Sequence, residues 1–239
     1  MFSHIGKTRT AKHNLGIASL LSFVAGLVNV VGFFSVQKLT TNVTGHFAYF
    51  VDEAFKQDFR SAFHVALYIF FFFLGAFFSN FMVEIYSRRR ENLIYIIPTV
   101  TEAVILATLA FTGSFLIEKN PDLIAFSLLF AMGMQNSLVT SISNAVVRTT
   151  HLTGLFTDMG IEFSQLLFYK DQKHKKKLIK SIKLRLTIIW LFFAGGVSGG
   201  ILYTHFGIRT LMFGSFILLL GLLYDFLKIR LLLLRHKLS

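Results

Sequence analysis

Cysteine is missing from this chain altogether. Disulfides, thiolate metal sites and cysteine nucleophiles are therefore excluded together. Charge is also scarce. Only 15% of the 239 residues are Asp, Glu, Lys or Arg, against 54% hydrophobic, and the mean hydropathy is +0.63. A water-soluble domain of this length cannot hide so much apolar surface, so the solvent it calls for is lipid. Proline occurs twice, at Pro98 and Pro121, which suits long uninterrupted helices. No HExxH is present, and His174 sits among lysines that repel cations, so neither a metal site nor a cofactor is expected.

What is abundant is the apolar run. A membrane crossing needs about 20 mostly apolar residues. Six stretches are read as spans: Ile17–Val36, Phe63–Val83, Leu93–Ile117, Leu123–Val147, Leu186–Ile208, and a weaker Thr210–Tyr224 extending toward Leu234. The expected fold is an all-α polytopic membrane protein with six transmembrane helices. Lysine and arginine collect on the cytoplasmic side of such bundles. With the N-terminus inside, the inner segments hold Lys7, Arg9, Lys12, Arg88, Arg89, Arg90, Arg148, the run from Lys170 to Arg185, and the basic residues after Asp225. Both termini are then expected to be cytoplasmic.

The net charge of +12 raises the question of nucleic acid. Its main concentration, "YKDQKHKKKLIKSIKLR" at residues 169–185, comes with no recognition module, so no nucleic-acid partner is expected. A lysine cluster entering a span is a topology signal, and Lys173–Lys183 would attract anionic lipid.

The polar strings are the second abundance. "TTNVTGHF" at residues 40–47 returns as "TTHLTGLF" at residues 149–156, an offset of 109 that Glu53 and Glu162 also share. Upstream, "FVAGLVN" (Phe23, Gly26, Asn29) returns as "FAMGMQN" (Phe130, Gly133, Asn136) at an offset of 107. Downstream, "FFLGAFFS" with Gly75 and Ser79 corresponds to "FFAGGVSG" with Gly195, Gly196 and Gly199, followed by Gly200. The chain divides into a cytoplasmic segment 1–14, a first repeat 15–117 and a second repeat 123–234. Each repeat reads as a span, a threonine–glycine break, a short amphipathic stretch and two more spans. Three spans is an odd number, so the second copy enters the bilayer from the opposite face. The expected arrangement is a 3+3 inverted repeat, the plan of many secondary transporters.

Threonine hydroxyls satisfy or compete for helical carbonyls, and glycine tolerates the angles where a helix ends. In lipid the freed backbone groups need protein or a water-lined cavity. One copy alone would read as an ordinary cap near the interface. Two copies at corresponding places point to a transport site.

These same residues, "SFVAGLVNVVGFF…TTNVTGHF", "LLFAMGMQNSLV…RTTHLTGLF" and the mid-span "TEAVIL", resemble the YoaK-like bacterial membrane family, domain of unknown function 1275. The resemblance covers roughly residues 15–230. It implies a six-span, multi-pass protein of the bacterial inner membrane. The family usually has Asp where this chain has Asn29, and "TGN" where this chain has "TGH" at His46.

The candidate pathway residues are Asn29, Thr41, Thr44, Gly45, Glu102, Gln135, Asn136, Thr150, Thr153 and Gly154. Glu102 is a carboxylate inside a span, costly enough to be a functional hypothesis by default and suited to carrying a proton. The same group could also serve packing, hydrogen-bonded across helices. His46 and His151 flank the breaks and could sense pH. Gly75, Ser79, Gly195, Gly196, Gly199 and Gly200 describe close helix packing. "GVSGG" around Ser198 has the spacing of a nucleophile elbow, but His205 lies two turns away and no strand–turn–helix setting exists, so no enzyme is expected. The leading expectation is a transporter of an unknown small molecule or ion. A non-transporting scaffold or assembly factor is the rival, and the glycine-lined or phenylalanine-rich faces offer a route to a homodimer.

Overall fold

The computed structural model describes residues 11–87, 95–143 and 147–238. Among them are eight α-helices: α1 (Ala11–Val36), α2 (Val43–Phe55), α3 (Phe59–Ser87), α4 (Ile96–Lys119), α5 (Pro121–Ile142), α6 (Leu152–Phe168), α7 (Gln172–Phe206) and α8 (Leu211–Leu238). A 3-10 turn, Gly207–Thr210, separates α7 from α8, and no strand occurs among the described residues. Lys7, Arg9 and Arg88–Arg90, on which the expected orientation leaned, lie outside the described residues, as do Leu93 and Ile94.

Among the described residues, five segments are long and apolar enough to cross a membrane: Leu15–Val36, Phe59–Tyr86, Ile96–Lys119, Pro121–Ile142 and Gln172–Lys228. The fifth is 57 residues long and holds the last two runs expected from the sequence. Gly207 breaks it with φ 57°, a left-handed angle that only glycine adopts without steric cost. Several boundaries move. α1 begins at Ala11, inside the segment 1–14 expected to precede it. α5 stops at Ile142 rather than continuing to Val147, because the Ser143 hydroxyl takes the Val147 N–H at 3.0 Å and draws the chain out of the helix. The lysine run is helical and forms the first turns of α7, capped by Asp171, whose carboxylate accepts the Lys173 and His174 amides. Both prolines sit in first turns, Pro121 at the start of α5 and Pro98 early in α4, where a missing N–H costs nothing.

The helices pair across the two halves of the sequence. α1 packs most extensively on α7, and α3 on α5. Along α1 and α7, Phe23 meets Gly195, Leu27 meets Gly199 and Phe34 meets Tyr203, so the two run parallel. Along α3 and α5, Tyr68 meets Asp122, Phe71 meets Phe126 and Asn80 meets Ser141, again parallel. Each crossing is made by two glycines. A Cβ on Gly26 would overlap the Phe192 carbonyl and one on Gly195 the Phe23 carbonyl. Gly75 and Gly133 stand in the same relation to Phe130 and Phe72. Helix association in lipid depends on close packing, and these backbones approach as near as glycine permits. α4 joins α8 in an antiparallel contact, with the Ser215 hydroxyl donating to the Ala103 carbonyl at 2.7 Å and Gly113 lying against Ile208.

The buried core lies along α1, α5 and the facing side of α4, through Leu21, Val28, Leu106, Leu128 and Met132. The rings of Phe70, Phe73, Phe77 and Phe81 stay exposed along one side of α3. Such a surface suits acyl chains rather than water.

Candidate functional site

α1 ends at Gln37, which takes a left-handed φ of 56° and donates its amide to the Phe33 carbonyl at 2.8 Å. A non-glycine residue there costs about 1 kcal/mol, so the helix is stopped at this point against a local preference. The chain then crosses through Thr40 and Thr41 and restarts as α2 at Val43. Asn42 caps that restart, its side-chain oxygen accepting the Gly45 amide at 2.9 Å. The second string repeats the plan between α5 and α6, with Leu152 as the first helical residue. His151 holds the place of Asn42 but makes no side-chain cap. Its ring lies over Gly154, where a Cβ would overlap it.

Each string is tied back to the helix it leaves. The Thr41 hydroxyl donates to the Asn29 side-chain oxygen at 2.8 Å, and the Thr150 hydroxyl donates to that of Asn136 at 2.8 Å. The Thr149 hydroxyl adds a longer bond to Asn136 at 3.4 Å. Local sequence thus produces the same knot twice.

Both knots open onto one cavity of about 910 Å³. Asn29, Thr41, Thr44 and Gly45 line it from the first copy, and Asn136, Thr150, His151 and Thr153 from the second. Phe72 and Phe192, whose carbonyls meet the crossing glycines, contribute one wall each. Arg148 also lines it, along with Thr140 and Asn42. Sequence reasoning passed over Arg148 by counting it only as a topology charge. Its position directly before the threonines of the second string was the available signal, since the matching position of the first string is Leu39.

Other expected residues lie elsewhere. Gly154 is beneath the His151 ring and is not part of the wall. Gln135 is buried and donates to the Leu21 carbonyl of α1 at 2.6 Å, joining two helices. Glu102 is 1% exposed in α4, the helix that packs on α8, and does not reach the cavity; its Oε1 has no hydrogen-bond partner. Glu102 is thus not among the residues that line the cavity with the breaks, and its helix α4 packs on both α8 and α5. Ser79 is fully buried in α3.

His46 points away from the cavity, buried against Tyr68 with ring centroids 5.2 Å apart, and its Nε2 lies 2.7 Å from the Leu39 carbonyl. Burial holds its imidazole below the ordinary value. The Leu39 bond opposes that shift, and Lys38 adds to it. The matching residue of the second copy is Leu155, also buried, so His46 occupies an apolar anchor position. Tyr68 in turn bonds to Asp122, with His64 Nδ1 3.4 Å from the same carboxylate. Among the described residues, no group of His, Asp and Glu could hold a metal ion.

The two short helices are held differently. Arg185 of α7 grips α6, with Nε 3.1 Å from Glu162 Oε2, Nη2 3.2 Å from Oε1, and Nη1 3.2 Å from Asp158. α2 packs on α3 mainly through the buried His46, and its own ion pairs, Lys56 to Asp52 and Glu53, are local to the helix.

Comparison with known proteins adds the following. Residues 17–224 match the model of the family described as "Protein of unknown function (DUF1275)". The chain is similar to the UPF0700 transmembrane protein YoaK of Bacillus subtilis (strain 168), with 25% identity over 188 residues, covering 76% of this chain and 80% of that protein. No solved structure matches.

Proposed function

The chain belongs to the DUF1275 family of membrane proteins, whose function is unknown, and from that premise we propose that it is a secondary transporter with its substrate site in the cavity between the two threonine–glycine breaks. The observation that carries the reading is the shared cavity. Two interruptions of the backbone, far apart in sequence and built alike, supply walls to a single space whose lining carries asparagine and threonine side chains from both. Irregular backbone at membrane depth is tolerated where it lines such a space.

An inverted six-span arrangement belongs to the same reading, with α1, α3 and α4 as one unit and α5, α7 and α8 as the other. What supports it is the direction of counterparts. Leu21 meets Gln135 while Gly32 meets Leu128, so α1 and α5 run oppositely, and α4 and α8 do too. The partner exchange then defines two bodies, α1 with α7 and α6, and α3 with α5 and α2. Each string leaves one body and ends in the other, with the cavity between them. Rocking of these bodies about the strings would open the space to either face in turn, the usual motion of inverted-repeat carriers. Both termini face the cytoplasm of a bacterial inner membrane in this arrangement. Glu102, remote from the cavity, takes no part in it.

The wild-type chain has no cysteine, so single substitutions report cleanly. Thr44→Cys and Thr153→Cys should each react with a membrane-impermeant thiol reagent added to either face of oriented vesicles, as the shared cavity opens to each in turn. Two sealed cysteines, or two that react from one face alone, would remove the carrier reading in favour of a scaffold.

A further inference from the structure

We infer that the cavity takes a small organic anion, recognised through a carboxylate or phosphate group; this deepens, and rests on, the reading of the cavity as the substrate site. Four features of the wall carry it, and they are independent of one another.

The first is charge. Among the described residues lining the cavity, Arg148 is the one with a permanent charge, and none is Asp or Glu. The second is pairing. Arg148 makes no ion pair among the described residues, in contrast to Arg185, which two carboxylates engage. An unpaired guanidinium beside a polar space fits the planar oxygens of a carboxylate or phosphate.

The third is the use already made of the asparagine oxygens. Asn29 and Asn136 each accept a threonine hydroxyl, which occupies the carbonyl end of each amide. Their NH₂ groups remain as donors, one on either side of the cavity. The fourth is the start of α6. Its cap residue His151 supplies no side-chain acceptor, and the first helical residues, Leu152 and Thr153, line the wall. At α2, by contrast, Asn42 already accepts the Gly45 amide. Arg148 and this uncapped helix start both belong to the second copy, and no negative side chain among the described lining residues opposes them. A cation would meet a positive charge there and no carboxylate. The volume of about 910 Å³ admits solutes of metabolite size.

The test uses full-length protein in lipid nanodiscs and two readouts. In Thr153→Cys, the rate of thiol modification is measured with succinate, benzoate or inorganic phosphate, and with choline and glycerol as cationic and neutral probes at matched ionic strength. In the cysteine-free protein, the thermal midpoint is followed with the same panel. At least one anion should slow modification and raise the midpoint, while choline and glycerol do neither. Arg148→Gln should weaken that anion by about 10- to 100-fold, and Arg148→Lys should recover part of the loss. Protection by choline or glycerol, no response to any anion, or an unchanged anion response in Arg148→Gln would each overturn the inference. Cysteines reactive from both faces without anion protection would leave the carrier reading standing and sink only the choice of substrate. Sealed cysteines with an Arg148-dependent thermal shift would do the reverse, leaving an anion-binding protein that does not transport.

Discussion

Asn42 and His151 stand at the same place in the two strings, three residues ahead of a glycine, and only Asn42 caps its helix. Three residues earlier the first copy has Leu39 and the second has Arg148, and both line the same cavity. The anchors differ as well. α2 is seated by a buried His46 where α6 has Leu155, while α6 alone is gripped by a guanidinium from its neighbouring span. What the two copies share is backbone: the stop, the tie from threonine to asparagine, the restart, and a glycine crossing for each flanking pair. The comparison teaches that the two strings agree in backbone geometry and differ in charge. Among the described residues lining the cavity, the permanent charge belongs to the second string.

The shared part of this comparison is the hardest to perturb without loss of the fold. Gly75→Val and Gly195→Val should each force a helix pair apart and cost about 3 kcal/mol or more, read as a large fall in thermal midpoint in detergent. The two crossings should fail alike. Gly200→Ala, whose new carbon would lie at an ordinary 3.6 Å from Phe34 and Val30, should change little. One tolerant crossing would break the equivalence of the pairs.

The anchoring difference comes next. Arg185→Met should loosen α6 by about 1–3 kcal/mol, seen as faster amide exchange over residues 152–168. Lys56→Met should leave amide exchange over residues 43–55 as in wild type, because its pairs are exposed and confined to α2. Equal effects would dissolve the contrast.

The smallest effect concerns His46. Its folded value lies below the ordinary 6.5, so the unfolded chain binds the proton more readily. The stability this gives is fully present above pH 6.5 and falls as acid carries the pH down through the folded value. Lys38, Arg60, His64, Glu53 and Asp122 line the same pocket as His46. His46→Leu, which copies the second string, should flatten the acid limb of a melting profile between pH 6.5 and 5. An unchanged slope would show that another group sets it.

Much of this was legible in one dimension. The apolar runs mark the long helices, and the offsets of 107 and 109 align the two strings before any coordinates are known. Threonine and glycine mark the breaks because their side chains suit the ends of helices. Partner choice was not legible. Nothing local to Gly26 says that it meets Phe192 rather than a neighbour in its own half, since every span is apolar on all sides. The same limit applies to Glu102. A carboxylate in a span reads as a site, while its place among α4, α5 and α8, away from the cavity lining, depends on packing that the sequence does not display. Arg148 failed in the other direction, because a basic residue at a span end has a ready explanation in topology. The extent of α7 was hidden too, since lysines after a loop read as loop until Asp171 caps them into a helix.

The exchange of partners also bears on biogenesis. Gly26 and Phe23 must leave the ribosome and enter the bilayer long before the residues they grip, Phe192 and Gly195, have been translated. The first helix therefore spends most of synthesis with its notch unfilled. A gene cut between Lys119 and Pro121 should yield two pieces that mature only when made together.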